Sequence, residues 1–138
     1  MNRSDLQNLA NLRTKEAEIL LKAGSYPGAY YLAGYAVECA LKACIAKQTK
    51  EYDFPDKDVV NSSYTHDLDR LLDLAKLRQN LESEMKSNKQ LEAYWACVVN
   101  WEEGKRYDLG VSEKEARDLH KAIADPVNGV LQWLNKCW

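Results

Sequence analysis

Tyr31, Tyr35, Glu38 and Lys42 recur at i, i+4, i+7 and i+11 within the small, apolar run AYYLAGYAVECALKACIAK, residues 29–47. On an α-helix that spacing sets all four on one stripe. An acid and a base one turn apart allow two readings. Either they form a solvated pair in the favourable Glu-to-Lys order, worth about 0.2–0.5 kcal/mol, or they make the floor of a polar site. In the site reading the tyrosine rings offer faces to a planar base and the ammonium offers charge to a phosphate.

Three further groups extend the site reading. Arg13 falls on the apolar face of the preceding helical segment, where a charge needs a partner. Arg106 and Tyr107 lie in EEGKRYDLG, a break in the helical pattern. If these converge on Glu38, the acid holds an arginine in place while Lys42 or Arg106 meets a phosphate. Of the two histidines, His66 stands between Thr65 and Asp67 at an expected helix start. That is a place for a capping or first-turn residue, though an imidazole there can also shuttle protons. His120, between Leu119 and Lys121, reads as helix surface.

Cys39, Cys44, Cys97 and Cys137 show no Cys-x-x-Cys spacing and read as reduced thiols filling a core. With the histidines far apart and the cysteines scattered, no metal site and no cofactor are expected. Trp95, Trp101, Trp133 and Trp138 can stack bases, but at helical spacing tryptophans more often anchor a core or an interface. Trp133 and the apolar end from Leu134 to Trp138 suit a dimer seam.

The elements that must position these residues are helical. Strand-like alternation is absent, and only three prolines and six glycines interrupt the 138 residues. Ser4 and Gln7 read as a capping box, after which Leu6, Leu9, Ala10, Arg13, Ala17, Leu20 and Leu21 keep helical phase as far as Gly24. Ser25, with Pro27 in the first turn, starts a second helix to about Lys47, predicting an antiparallel hairpin. Its other face, Ala33, Val37, Ala40, Leu41 and Cys44, lets neighbours approach closely, so this helix should be central and its charged stripe should face a groove.

Residues 50–64 lack helical periodicity and read as the longest loop, a length that often carries function. Thr65 can cap a third helix with Leu68, Leu71, Leu72 and Ala75 on its apolar face. A fourth presents Leu91, Tyr94, Trp95, Val98 and Trp101. Ser112 and Glu115 form a second capping box opening the last helix, whose apolar phase (Ala116, Leu119, Ile123, Val127, Leu131, Leu134) passes through Asp125-Pro126. The expected fold is all-α: one domain over residues 1–138, an up-and-down bundle of about five helices, the last kinked near Pro126.

Composition narrows the function. Nineteen basic against 21 acidic residues, a net charge of −2, give no overall field toward nucleic acid or anionic lipid, so any such binding is local. The start, MNRSDLQN, lacks the basic-then-apolar layout of an export signal, and a cytoplasmic location is expected. Placing Glu38 and Lys42 in a bilayer would cost about 2.5–3.5 kcal/mol each, so no membrane association is expected.

The stretch LRTKEAEILLKAGSYPGAYYLAGYAVECALKACI resembles the opening of the HEPN superfamily. The shared features are an Arg- and Ala-containing first helix, the Gly-x-Tyr turn at Gly24 to Tyr26, and Ala-x-x-x-Ala-Val-Glu-x-x-Leu-Lys-Ala. His66 with its spaced leucines and the Arg106-Tyr107 pair extend the likeness over about four-fifths of the chain. The resemblance implies a helical bundle that binds a nucleotide or RNA, a homodimer, and possible pairing with a separately encoded minimal nucleotidyltransferase in a toxin-antitoxin-like system.

Several members of that superfamily are metal-independent RNases marked by Arg, four to six residues, then His. None of Arg3, Arg13, Arg70, Arg78, Arg106 and Arg117 is followed by a histidine at that interval. The expectation is therefore a non-catalytic binding domain, with Tyr31, Tyr35, Glu38, Lys42, Arg13, Arg106 and Tyr107 as ligand-binding residues. Two alternatives stand beside it: an adaptor for the nucleotidyltransferase, and an RNase using His66 or His120 with Arg106.

Overall fold

Gly24 sets the first corner. Its φ of +78° lies in the left-handed region, and it ends α1 (Arg3–Lys22) in a double closure. Ser25 N–H donates to Leu20 O at 2.8 Å and Gly24 N–H to Leu21 O at 3.1 Å, the paired bonds that satisfy the last carbonyls of a helix. Helix α2 (Tyr26–Lys47) starts immediately, with Ser25 at its N-cap and Pro27 in its first turn. The two helices pack along each other as the expected hairpin.

The computed structural model describes residues 1–49 and 53–138, without the side chain of Arg106. Among the described residues it holds eight α-helices and one 3-10 helix, and no strand. After α2 come α3 (Lys57–Ser62), α4 (Leu68–Leu74), α5 (Arg78–Ser87), α6 (Lys89–Val99), the 3-10 turn Glu103–Tyr107, α7 (Glu113–Ala124) and α8 (Val130–Asn135). Helix α2 packs against α1, α4, α7, α8 and the 3-10 turn. Ala33, Val37, Ala40 and Leu41 are wholly inaccessible and Cys44 nearly so, so the central role expected of α2 holds.

The all-helical class is as expected, but the divisions differ. Helix α1 opens two residues earlier than the Ser4 box: Asn2 accepts from Asp5 N–H at 2.8 Å, and the Asp5 carboxylate takes Asn2 N–H at 3.0 Å. The segment read as a loop contains α3, capped by Asp56, which accepts from Asp58 N–H and Val59 N–H; its residues 50–52 lie outside the described residues. Asp67, not Thr65, caps α4.

The last helix is not one kinked rod. The Asp125 carboxylate accepts from Val127 N–H at 2.9 Å and Asn128 N–H at 3.2 Å, a side-chain turn that competes with the helix and ends α7 before Pro126. Val127, counted on the buried phase, is 78% exposed. The end of the chain joins the core in part. Val130, Leu131 and Leu134 are buried, and Trp133, Cys137 and Trp138 pack against the same core.

Candidate functional site: a buried acid beside an aromatic stripe

Glu38 is the one charged or polar residue among the described buried set, at 1% exposure. Burying a carboxylate without compensation costs several kcal/mol, and two bases meet it. Lys42 Nζ, one turn on, lies 3.7 Å from Oε2. His66, 28 residues away, donates its Nδ1–H to Oε1 at 2.5 Å. The acid thus ties α2 to the segment just before α4. The solvated-pair reading fails for Glu38, which water does not reach.

The expected stripe exists and continues past the acid. Tyr31 and Tyr35 stack with centroids 6.1 Å apart and ring planes 10° from parallel. Trp101 lies tilted beyond Tyr31 at 6.2 Å. Gly34 permits this contact: a Cβ there would lie 2.2 Å from the Trp101 indole. The Arg13 guanidinium sits over the Tyr35 ring, 5.9 Å from its centroid, while Nη1 donates to Glu16 Oε1 at 2.6 Å. The partner that Arg13 requires is thus Glu16, and it adjoins the Glu38 cluster through Tyr35 rather than by contact with the acid.

A cleft of about 530 Å³ opens at the Tyr35 end of this row, and of the row Tyr35 alone lines it. Tyr35, Glu38, Cys39, Lys42, Ile45 and Ala46 form its α2 side; Met1, Leu6 of α1, Thr49, Pro55, Asp56, Val59 and Val60 of α3, Ser63 and Tyr64 complete the described lining. The lining is largely apolar, with few polar groups, as is usual where a protein encloses a small planar ligand. Desolvation pushes the Cys39 thiol up to about 11, and the neighbouring Glu38 charge adds to the effect. Desolvation also raises the Tyr35 phenol above its ordinary value of 10.0. Among the described residues no cluster of His, Cys, Asp and Glu is suited to a metal ion, and no helix is long and apolar enough to cross a membrane.

Of the residues selected from sequence, Tyr31, Tyr35, Glu38, Lys42 and Arg13 are brought together. Arg106 and Tyr107 lie on the 3-10 turn, which packs against α2, and Tyr107 stands 74% exposed. The Arg106 side chain lies outside the described residues. His66, expected as a capping or first-turn residue with proton shuttling as the alternative, is the closest partner of the buried acid. One signal for it was available: a buried carboxylate calls for more than one donor, and the chain has two histidines.

A central helix that carries a buried acid and an aromatic row, flanked by a hairpin partner and short helices beside a cleft, defines a small all-helical domain. The HEPN domain model matches residues 4–137, nearly the whole chain. The chain belongs to the HEPN domain family. No curated protein and no solved structure matches it.

Proposed function

We propose that this chain is a binding domain for a nucleotide or a short RNA, without cleavage chemistry of its own. The observation that carries this reading is the cleft lined by Tyr35, Glu38 and Lys42, with Tyr35 backed by Tyr31 on one side and by the Arg13 guanidinium on its ring. The tyrosine faces take a base, each stacked base contributing about 1–3 kcal/mol, and Lys42 takes phosphate charge. Glu38 holds Lys42 in position rather than touching the ligand. Arg106 and Tyr107 belong to this proposal as an outer contact from the 3-10 turn.

The test is the thermal midpoint of the purified chain against nucleoside mono-, di- and triphosphates and short RNAs, since a ligand of the native state raises apparent stability by mass action. A rise that disappears in Lys42→Ala and Tyr35→Ala supports the reading; no shift with any of them refutes it.

One feature favours the adaptor reading as second. Phe54 is 99% exposed and Tyr64 76%, close to the cleft walls formed by α3, and an apolar rim of that kind suits a protein surface. In that reading the chain, as a homodimer, presents this rim to a separately encoded nucleotidyltransferase. Co-purification with the product of a neighbouring reading frame, lost in Phe54→Ser with Tyr64→Ser, is the distinguishing result.

A further inference from the structure

The Glu38 carboxylate has one negative charge and two bases, and Lys42 alone balances it. A proton on His66 therefore leaves a surplus positive charge at this point. The ring is fixed by its bond through Nδ1, so the only nitrogen left for a ligand is Nε2. The His66 side chain is 49% exposed while its partner is buried, which puts Nε2 on the solvent side of the pair. Two basic groups held by one buried carboxylate, one of them able to gain or lose a proton, form a receptor for an anion whose charge exceeds what Lys42 offers.

Resting on the binding reading above, we infer that His66 is a direct phosphate contact, and that a phosphate binds with uptake of one proton at His66 Nε2. The proton comes from the buffer. Nδ1–H remains on Glu38, and the new Nε2–H donates to a phosphate oxygen beside the Lys42 ammonium. Glu38 is the positioning residue, fixing which nitrogen is presented. The charged groups on the pair or beside it in the chain are Glu38 and Lys42 from α2 and Asp67, the cap of α4. The Asp67 carboxylate is engaged by the backbone N–H groups of Asp69 and Arg70. The adenine or guanine half of a nucleotide would lie toward Tyr35, so His66 discriminates a nucleotide from a nucleoside.

Two measurements on the full chain test this. The first follows the His66 imidazole by NMR across pH with and without sulfate, an anion whose own charge is constant in that range. The second measures adenosine 5′-monophosphate binding by calorimetry at pH 7.5, where the phosphate is largely dianionic, in buffers of different ionisation enthalpy. The expected results are an upward move of the His66 midpoint with sulfate, net proton uptake with the nucleotide, and affinity that falls as much as tenfold per pH unit above the free midpoint. His66→Gln should abolish the uptake and flatten that pH dependence, leaving adenosine binding unchanged. Nucleotide binding with no proton uptake and an unmoved His66 overturns the inference and leaves the binding function intact. A His66 midpoint that responds to sulfate in a chain that binds no nucleotide or RNA overturns the function and keeps the anion site. No response in either measurement removes both.

Discussion

Replacing Glu38 by Gln keeps the side chain's volume and an oxygen that accepts the His66 Nδ1–H, and removes only the charge. Taking one partner from a fully buried ion pair costs about 3–5 kcal/mol, because the other is left uncompensated. Here the acid is buried but its partners are not: the Lys42 side chain is 23% exposed and that of His66 49%. Water solvates what is left behind, and the cost falls to about 1–2 kcal/mol. In a domain of this size that is a drop of about 3–10 °C in the thermal midpoint. The assay is urea unfolding followed by far-UV circular dichroism, with the loss read from the midpoint at constant slope. Adding Lys42→Met to Glu38→Gln should restore part of the loss, since a matched apolar replacement removes the stranded charge. A Glu38→Gln variant within about 0.3 kcal/mol of the parent would refute the reasoning, because a solvated helix pair is worth no more than about 0.2–0.5 kcal/mol. Lys42 and His66 would then not depend on Glu38 for their positions.

Gly34→Ala should destabilise by about 2–3 kcal/mol despite a better helix former, because its Cβ would lie 2.2 Å from the buried Trp101 ring; intrinsic tryptophan fluorescence and urea midpoint report it. Tyr35→Ala should weaken nucleotide or RNA binding about 5- to 100-fold by calorimetry, the loss of one stacked base, with little effect on a sulfate-induced shift at His66. His120 governs an acid limb of stability. Desolvation lowers its proton affinity below the ordinary 6.5, and its Nε2 is buried without a partner. The unfolded chain then binds more protons than the folded one, so the His120 contribution is complete above pH 6.5 and is lost as pH falls toward the lowered folded value. His120→Gln should flatten the slope of unfolding free energy against pH in that window, and an unchanged slope would contradict the assignment.

How much of the fold could be read in advance depended on where the signal lay. The α1–α2 hairpin was legible because Gly24 and Pro27 mark its turn and a long apolar run follows. Helices α3 and α5 were not. Helix α3 buries no residue and α5 only Leu81, so neither leaves the apolar stripe that periodicity detects. The end of α4 was hidden for another reason: Lys76, at φ +58°, does the work usually marked by a glycine. At the last helix, apolar spacing ran on while Asp125 had already turned the chain, a case of side-chain bonding overriding phase.

The site was legible to the extent that it lies on one helix. Spacing alone placed Tyr31, Tyr35, Glu38 and Lys42 on a shared stripe, and helix geometry makes that inference firm. It could not show that Glu38 is inaccessible, because burial depends on what the segment before α4 brings over it. Nor could it pair His66 with an acid 28 residues away. A carboxylate set in an otherwise apolar helix carries a demand that one lysine at 3.7 Å meets only in part. The demand is visible in sequence; the residue that answers it is fixed by tertiary packing. That residue is an imidazole rather than a second lysine, and its contact with the buried acid gives His66 a place in the site that its position at a helix start could not assign.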